Sequence, residues 1–140
     1  MTDLKTIAHY FLAESFNTGN LAPADELIAP NFTNHDPGAP PLPPGPEGYK
    51  QLITTYRTAY PDIQMTLEDL IVEGDKAAGR WTARGTNTGP LPGMPPTGKS
   101  ATVSGISILK ITNGQVTEQW SNWDTLGMLQ QLGVVPSPGQ

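Results

Sequence analysis

KSATVSGISILKIT (residues 99–112), NG (113–114), QVTEQWSNW (115–123) and DTLGMLQQLG (124–133) are the four pieces whose reading decides the fold. The first and third are rich in β-branched and aromatic residues and predict two long strands. Asn113-Gly114 between them is the strongest two-residue hairpin signal in the chain, so the strands run antiparallel. The fourth piece predicts a helix from about Thr125 to Leu132, closed by Gly133. This segment carries Asp124 to the start of a helix, directly after Trp120, Ser121, Asn122 and Trp123. A carboxylate among large aromatics can be desolvated, which makes it a better base at neutral pH.

Working upstream, Ile63, Met65 and Leu67 alternate with polar residues, Glu73-Gly74-Asp75 is a turn, and residues 76–87 form the partner strand. Residues 88–98 are a proline–glycine loop. Pro46 and Glu47 open a helix whose buried face is Tyr49, Leu52, Ile53, Tyr56 and Tyr60, and Pro61 ends it. Residues 37–46 hold six prolines and two glycines and form a stiff, extended loop. Asn31 to Asp36 reads as a short extended piece, and Pro23 to Ile28 as a short helix. The N-terminal helix carries Leu4, Ile7, Ala8, Phe11, Leu12 and Phe16 on one stripe, with Thr2 as its cap and Gly19-Asn20 as its stop. Helices first and consecutive hairpins last predict an α+β fold: a curved, mostly antiparallel sheet packed against N-terminal helices and enclosing a pocket. The 140 residues fit one domain, with residues 134–140 expected as a mobile tail. The two proline-rich loops are expected to flank one pocket mouth.

Composition excludes several chemistries. There is no cysteine, so no disulfide, thiolate metal site or cysteine nucleophile. The two histidines, His9 and His35, lack the spacing of a zinc site, and no glycine-rich phosphate loop occurs. The net charge is −5 and the 8 Lys and Arg are scattered, which argues against a nucleic-acid partner. No apolar run approaches the ~20 residues of a membrane span, and the N-terminus lacks the layout of an export signal, so the cytoplasm is the expected compartment.

Period-two alternation puts Val116, Glu118, Trp120 and Asn122 on one face of the last strand, with Asp124 continuing it. In the strand at 76–87, Arg80, Thr82 and Arg84 share one face, and Trp81 and Ala83 the other. Which face lines the pocket stays open. Asp124 is the candidate base, or else a simple helix cap worth ~1 kcal/mol. His35 is a candidate proton carrier at the pocket mouth, or a loop histidine bonded locally. Arg80 either holds a ligand oxygen or pairs with a surface acid, and Trp120 forms a wall of cavity or core.

Several segments carry a resemblance. They are Asn34-His35-Asp36-Pro37, Gly45-Pro46-Glu47-Gly48, Tyr60-Pro61-Asp62, Arg80-Trp81-Thr82, Gly85 to Gly89, Pro95-Pro96-Thr97-Gly98, and Asn113-Gly114 through Trp120 to Asp124. In this order and spacing the chain resembles the SnoaL-like polyketide cyclase family of the nuclear transport factor 2-like superfamily. The resemblance implies a cone-shaped α+β barrel around a pocket and a reaction without cofactor or metal. In those cyclases an aspartate at the position of Asp124 acts as general acid and base, taking a proton from a carbon between carbonyls so that an intramolecular aldol closes a ring. Asn87 stands where many relatives have histidine, which puts a second proton carrier there in doubt. The expected site is therefore Asp124 and His35 as catalytic residues, with Asn122, Trp120, Arg80 and Asn87 binding a hydrophobic carbonyl compound. The alternatives are a hydratase or isomerase on the same pocket, or a non-catalytic ligand-binding or dimerisation module. A homodimer or larger homo-oligomer is expected, because association covers the outer face of a broad sheet.

Overall fold

The long hairpin forms as the turn chemistry demands. Asn113 and Gly114 both adopt positive φ (53° and 75°), the conformation of a two-residue hairpin loop that matches strand twist. The structure, a computed structural model, describes residues 3–136. Its five strands are β1 (Ile28–His35), β2 (Gln64–Glu73), β3 (Lys76–Thr86), β4 (Ser100–Thr112) and β5 (Gln115–Trp123), in the spatial order β1-β5-β4-β3-β2. Only the β1–β5 pair is parallel. The α+β expectation, with a mostly antiparallel sheet, therefore holds.

The first helix, α1, joins an α-helical segment Leu4–His9, a π-helical turn Tyr10–Glu14 and a last α-helical turn Ser15–Thr18. Its cap is Asp3, whose side chain accepts from the Thr6 amide at 2.8 Å. Thr2, expected in that role, lies outside the described residues. The other helices are α2 (Ala24–Leu27), α3 (Pro46–Ala59) and α4 (Thr125–Gln131). The stripe of α1 is buried as expected: Ile7, Ala8 and Phe11 pack with Phe32 of β1, Ile53 of α3 and Leu109, Ile111 and Val116 of the sheet. Tyr49 is wholly buried there. Its hydroxyl donates to the Phe11 carbonyl at 2.8 Å and accepts from Ser15 Oγ at 2.5 Å, which satisfies the phenol inside the core.

Two local irregularities decide what faces inward. β1 is longer than expected and pairs with β5 through Asn34↔Gln119 and His35↔Trp120. In β5, Val116 pairs with Ile111 and Glu118 with Lys110, so Thr117 is an extra residue in the ladder. A bulge of one residue shifts the period-two alternation by one. Val116 is buried, but beyond the bulge Gln119 and Ser121 are the buried residues, while Trp120 and Asn122 are exposed. The expectation that Val116, Trp120 and Asn122 share a face is thereby corrected. At the chain end, Gly133 takes φ +77° and the Val134 amide bonds the Leu129 carbonyl at 2.9 Å. Residues 133–135 are tied back to α4 rather than forming part of a tail; residues 137–140 lie outside the described part.

Candidate functional site

A pocket opens between the helices and the inner face of the sheet, with about 760 Å³ free of protein atoms including its mouth. Its wall is mostly apolar: Phe11 and Leu12 come from the π-helical turn of α1, Leu52 from α3, and Met65, Trp81 and Val103 from the sheet. A π-turn repositions side chains within a helix, and here it spreads Tyr10, Phe11, Leu12 and Ala13 into buried positions.

A few polar groups break this surface. The Trp81 indole N–H donates to Ser107 Oγ at 3.0 Å, and Ser107 and Ser121, paired across β4 and β5, share a hydrogen bond of 2.9 Å. Gln119, also inward, donates from Nε2 to Asn34 Oδ1 at 2.7 Å. Among the described residues, the one carboxylate on the wall is Asp36, one residue beyond β1. The Trp123 indole N–H reaches both of its oxygens at 3.2 Å, and the Gly38 amide donates to Oδ1 at 2.8 Å. Burial pushes the Asp36 carboxyl above its ordinary range, and the bonds from Gly38, Trp123 and Ala39 offset only part of that rise. Tyr56 packs edge-on to Trp123 with ring centres 6.2 Å apart. Its phenol is pushed up by burial first and then by the charges of Asp36 and Tyr60.

The residues named from the sequence are not gathered around this pocket. Asp124 is exposed at the start of α4, and its Oδ1 accepts from the Gly127 amide at 2.9 Å: it is the helix cap. The aromatics that were expected to bury it point elsewhere. Trp120 lies on the outer face, stacked on the His35 ring at 5.5 Å and 16°, while Trp123 turns inward to Asp36. His35 Nε2 meets Glu118 Oε2 at 3.0 Å on that same outer face. Asn122 is exposed beside Ile106. Arg80 points outward and binds Asp69 through both Nε (2.8 Å) and Nη2 (2.6 Å), the surface pairing rather than a ligand contact.

Asn87 is wholly buried, but its amide is fully used by the protein. Nδ2 donates to the carbonyls of Ala59 (3.3 Å) and Gly89 (2.9 Å), and Oδ1 accepts from the amide (2.9 Å) and hydroxyl (3.0 Å) of Thr97. Two donors and two lone pairs are an asparagine's whole capacity, so nothing remains for a substrate. Asn87 instead closes the loop at 88–98, whose Leu91 and Met94 pack beside Tyr60 and Met128. The other proline-rich loop touches Trp123 at Gly38, where a Cβ would lie 2.9 Å from the indole nitrogen.

The pocket's own polar groups escaped the sequence reading for identifiable reasons. Asp36 sits in a quoted motif, but nothing local marks it as buried. Ser107 and Ser121 look like ordinary strand serines, although each shares its face with buried residues two positions away, Leu109 and Gln119. Gln119, Ser121 and Trp123 lie past the bulge at Thr117, which puts the buried Val116 on the face opposite Trp120 and Asn122.

A family model, SnoaL-like polyketide cyclase, matches residues 6–132. The chain belongs to this family. Nogalonic acid methyl ester cyclase of Streptomyces nogalater is 28% identical over 127 residues, covering 87% of this chain and 92% of that protein. Among solved structures, TsrD of Streptomyces laurentii superposes with a TM-score of 0.84 at 32% identity, covering 96% of this chain and all (100%) of TsrD. IdmH of Streptomyces antibioticus gives a TM-score of 0.76 at 33% identity, covering 94% and 99% of the two chains. The architecture of this SnoaL-like chain is accordingly the nuclear transport factor 2-like fold of these relatives. No helix among the described residues is long and apolar enough to cross a membrane.

Proposed function

We propose that the protein is a cyclase-type acid–base enzyme acting, without a cofactor, on a hydrophobic compound with neighbouring carbonyl groups. The observation that carries this is Asp36, the one carboxylate among the described residues on a mostly apolar wall, with its pKa raised by burial. A base with a raised pKa is better matched to proton transfer near neutrality. In this reading the Asp36 carboxylate takes a proton from the carbon between two carbonyls. The resulting carbanion attacks a third carbonyl of the same molecule, forming the new C–C bond, and Asp36 returns the proton to the alkoxide. Trp123 and Gly38 hold the carboxylate in place throughout.

A second reading keeps Asp124 as the base, because its position matches the family's acid–base aspartate. The two are separated by one experiment. Ring closure of nogalonic acid methyl ester, the compound named for the Streptomyces nogalater relative, is followed with Asp36→Asn and with Asp124→Asn. Our reading expects a loss of roughly 10²- to 10⁴-fold in the first only. Loss in the second with the first intact would move the base to Asp124. Binding of the ester by the wild type without turnover would favour a ligand-binding module.

We also propose a homodimer formed through the outer sheet face. A row of paired residues crosses the whole sheet there: Ile71, Ala78, Ile108, Trp120 and His35, one per strand. Ile71 is 67% exposed and Ile106, nearby on β4, 55%, which leaves apolar area for a second copy to cover.

A further inference from the structure

Tyr60 presents an unmet need inside the pocket. The residue follows α3, and its backbone is held on both sides: its amide bonds the Tyr56 carbonyl at 2.8 Å, and its carbonyl accepts from the Ile63 amide at 2.9 Å. The ring lies against Gly85 of β3, where an added Cβ would come within 2.9 Å of the Tyr60 Cβ and 3.3 Å of Cδ1. The ring therefore keeps its place only because position 85 has no side chain. Tyr60 is 5% exposed and lines the pocket, and among the described residues its hydroxyl is the one buried side-chain polar atom without a hydrogen-bond partner. Tyr49, equally buried, has both Ser15 and Phe11 for its hydroxyl. Buried hydroxyls are almost always paired, because leaving one unpaired forfeits its hydration. A phenylalanine would fill the same volume without that penalty.

We propose that the Tyr60 hydroxyl is the donor that binds a carbonyl oxygen of the ligand. This rests on the reading of the pocket as a site for hydrophobic carbonyl compounds, and it adds the group that fixes their orientation. This donor and the base, Asp36, line the same pocket, with Tyr56 also on its wall. Burial also raises the Tyr60 pKa, so the group stays a protonated donor at neutral pH. When Asp36 removes the proton, negative charge grows on that carbonyl oxygen, and the phenol bond strengthens as it does.

The test uses two probes of one shape, 2-acetylnaphthalene and 2-ethylnaphthalene, which differ by a carbonyl oxygen. Their affinities for the wild type and for Tyr60→Phe are measured by amide NMR titration, with the melting temperature of each free protein. The expected result is that Tyr60→Phe weakens the ketone by about tenfold, leaves the hydrocarbon unchanged, and melts no lower than the wild type. Equal effects on both probes would overturn the proposal. So would a lowered melting temperature, which would show that a trapped water already satisfies the hydroxyl. If neither probe enters the wild-type pocket, the ligand-site reading itself fails, an outcome distinct from binding without discrimination.

Discussion

The two faces of the sheet are built from the same strands and the same residue types, yet they differ in what their polar groups can do. On the outer face the charged side chains Arg80 and His35 have local, solvent-exposed partners: Arg80 with Asp69, His35 with Glu118 and the Trp120 ring. On the inner face polar groups are few, and the half-buried Asp36 carboxylate and the unpaired Tyr60 phenol line a mostly apolar pocket. Exposed pairs of the first kind contribute ~0–1 kcal/mol and are screened by salt. Asp36 and Tyr60 both have raised proton affinities, and Tyr60 an unmet hydrogen bond, the properties that binding and catalysis use. Tryptophan shows the contrast most simply: Trp81 and Trp123 spend their indole N–H groups on Ser107 and Asp36, whereas Trp120 lies stacked on the surface.

The largest effect that can break this comparison is on folding. Trp81→Ala should lower unfolding free energy by about 3 kcal/mol or more, the range for emptying a buried aromatic site. Trp120→Ala should cost less than about 1 kcal/mol in the isolated subunit while shifting the light-scattering mass from dimer toward monomer. Urea unfolding of both variants gives the ratio, and equal losses would erase the difference between the faces. Next in size is Asn87→Ala, which strands the Gly89 carbonyl and the Thr97 amide. It should destabilise by about 2 kcal/mol without altering the affinity for 2-acetylnaphthalene. Weakened binding with unchanged stability would return Asn87 to the ligand site.

A smaller effect sharpens the account through pH. The Asp36 carboxyl has a raised pKa in the folded protein, so over the interval above its ordinary value the folded state holds more proton than the unfolded chain. Stability due to this group is therefore present below that interval and lost as pH rises through it. Asp36→Asn, which keeps an acceptor for Trp123 and Gly38, should melt higher relative to the wild type at pH 7 than at pH 3. Thermal melts across that range check the sign. A difference that shrinks with rising pH would mean that hydrogen bonding to the carboxylate outweighs its burial.

The elements of this fold were legible because their signals are local. Asn113-Gly114 needs two positive φ angles, Pro46 suits a first helical turn, and the stripe from Ile7 to Phe11 has helical spacing; the strands at 76–86, 100–112 and 115–123 appear within a residue or two of expectation. The site was much less legible. Period-two reasoning carries no warning of a bulge, and Thr117 has nothing in its neighbourhood to mark it as the extra residue. One unseen residue therefore separated the buried Val116 from Trp120 and Asn122, which alternation alone puts on its face. Asp36 and Trp123 are 87 positions apart, and the parallel β1–β5 pairing that joins them is a long-range choice that no short window contains. Asp124 was read for two roles at once, and its capping bond to Gly127 is the one that local geometry could reveal.

The central claim is that the pocket's ligand meets Asp36. Carbon-13 NMR of the aspartate carboxyl groups, assigned with Asp36→Asn and Asp124→Asn, tests it most directly. The Asp36 signal should titrate above the usual aspartate range and should shift, with a changed midpoint, when 2-acetylnaphthalene is added, while the Asp124 signal stays where it was. A ligand-dependent Asp124 signal beside an indifferent Asp36 would contradict the account.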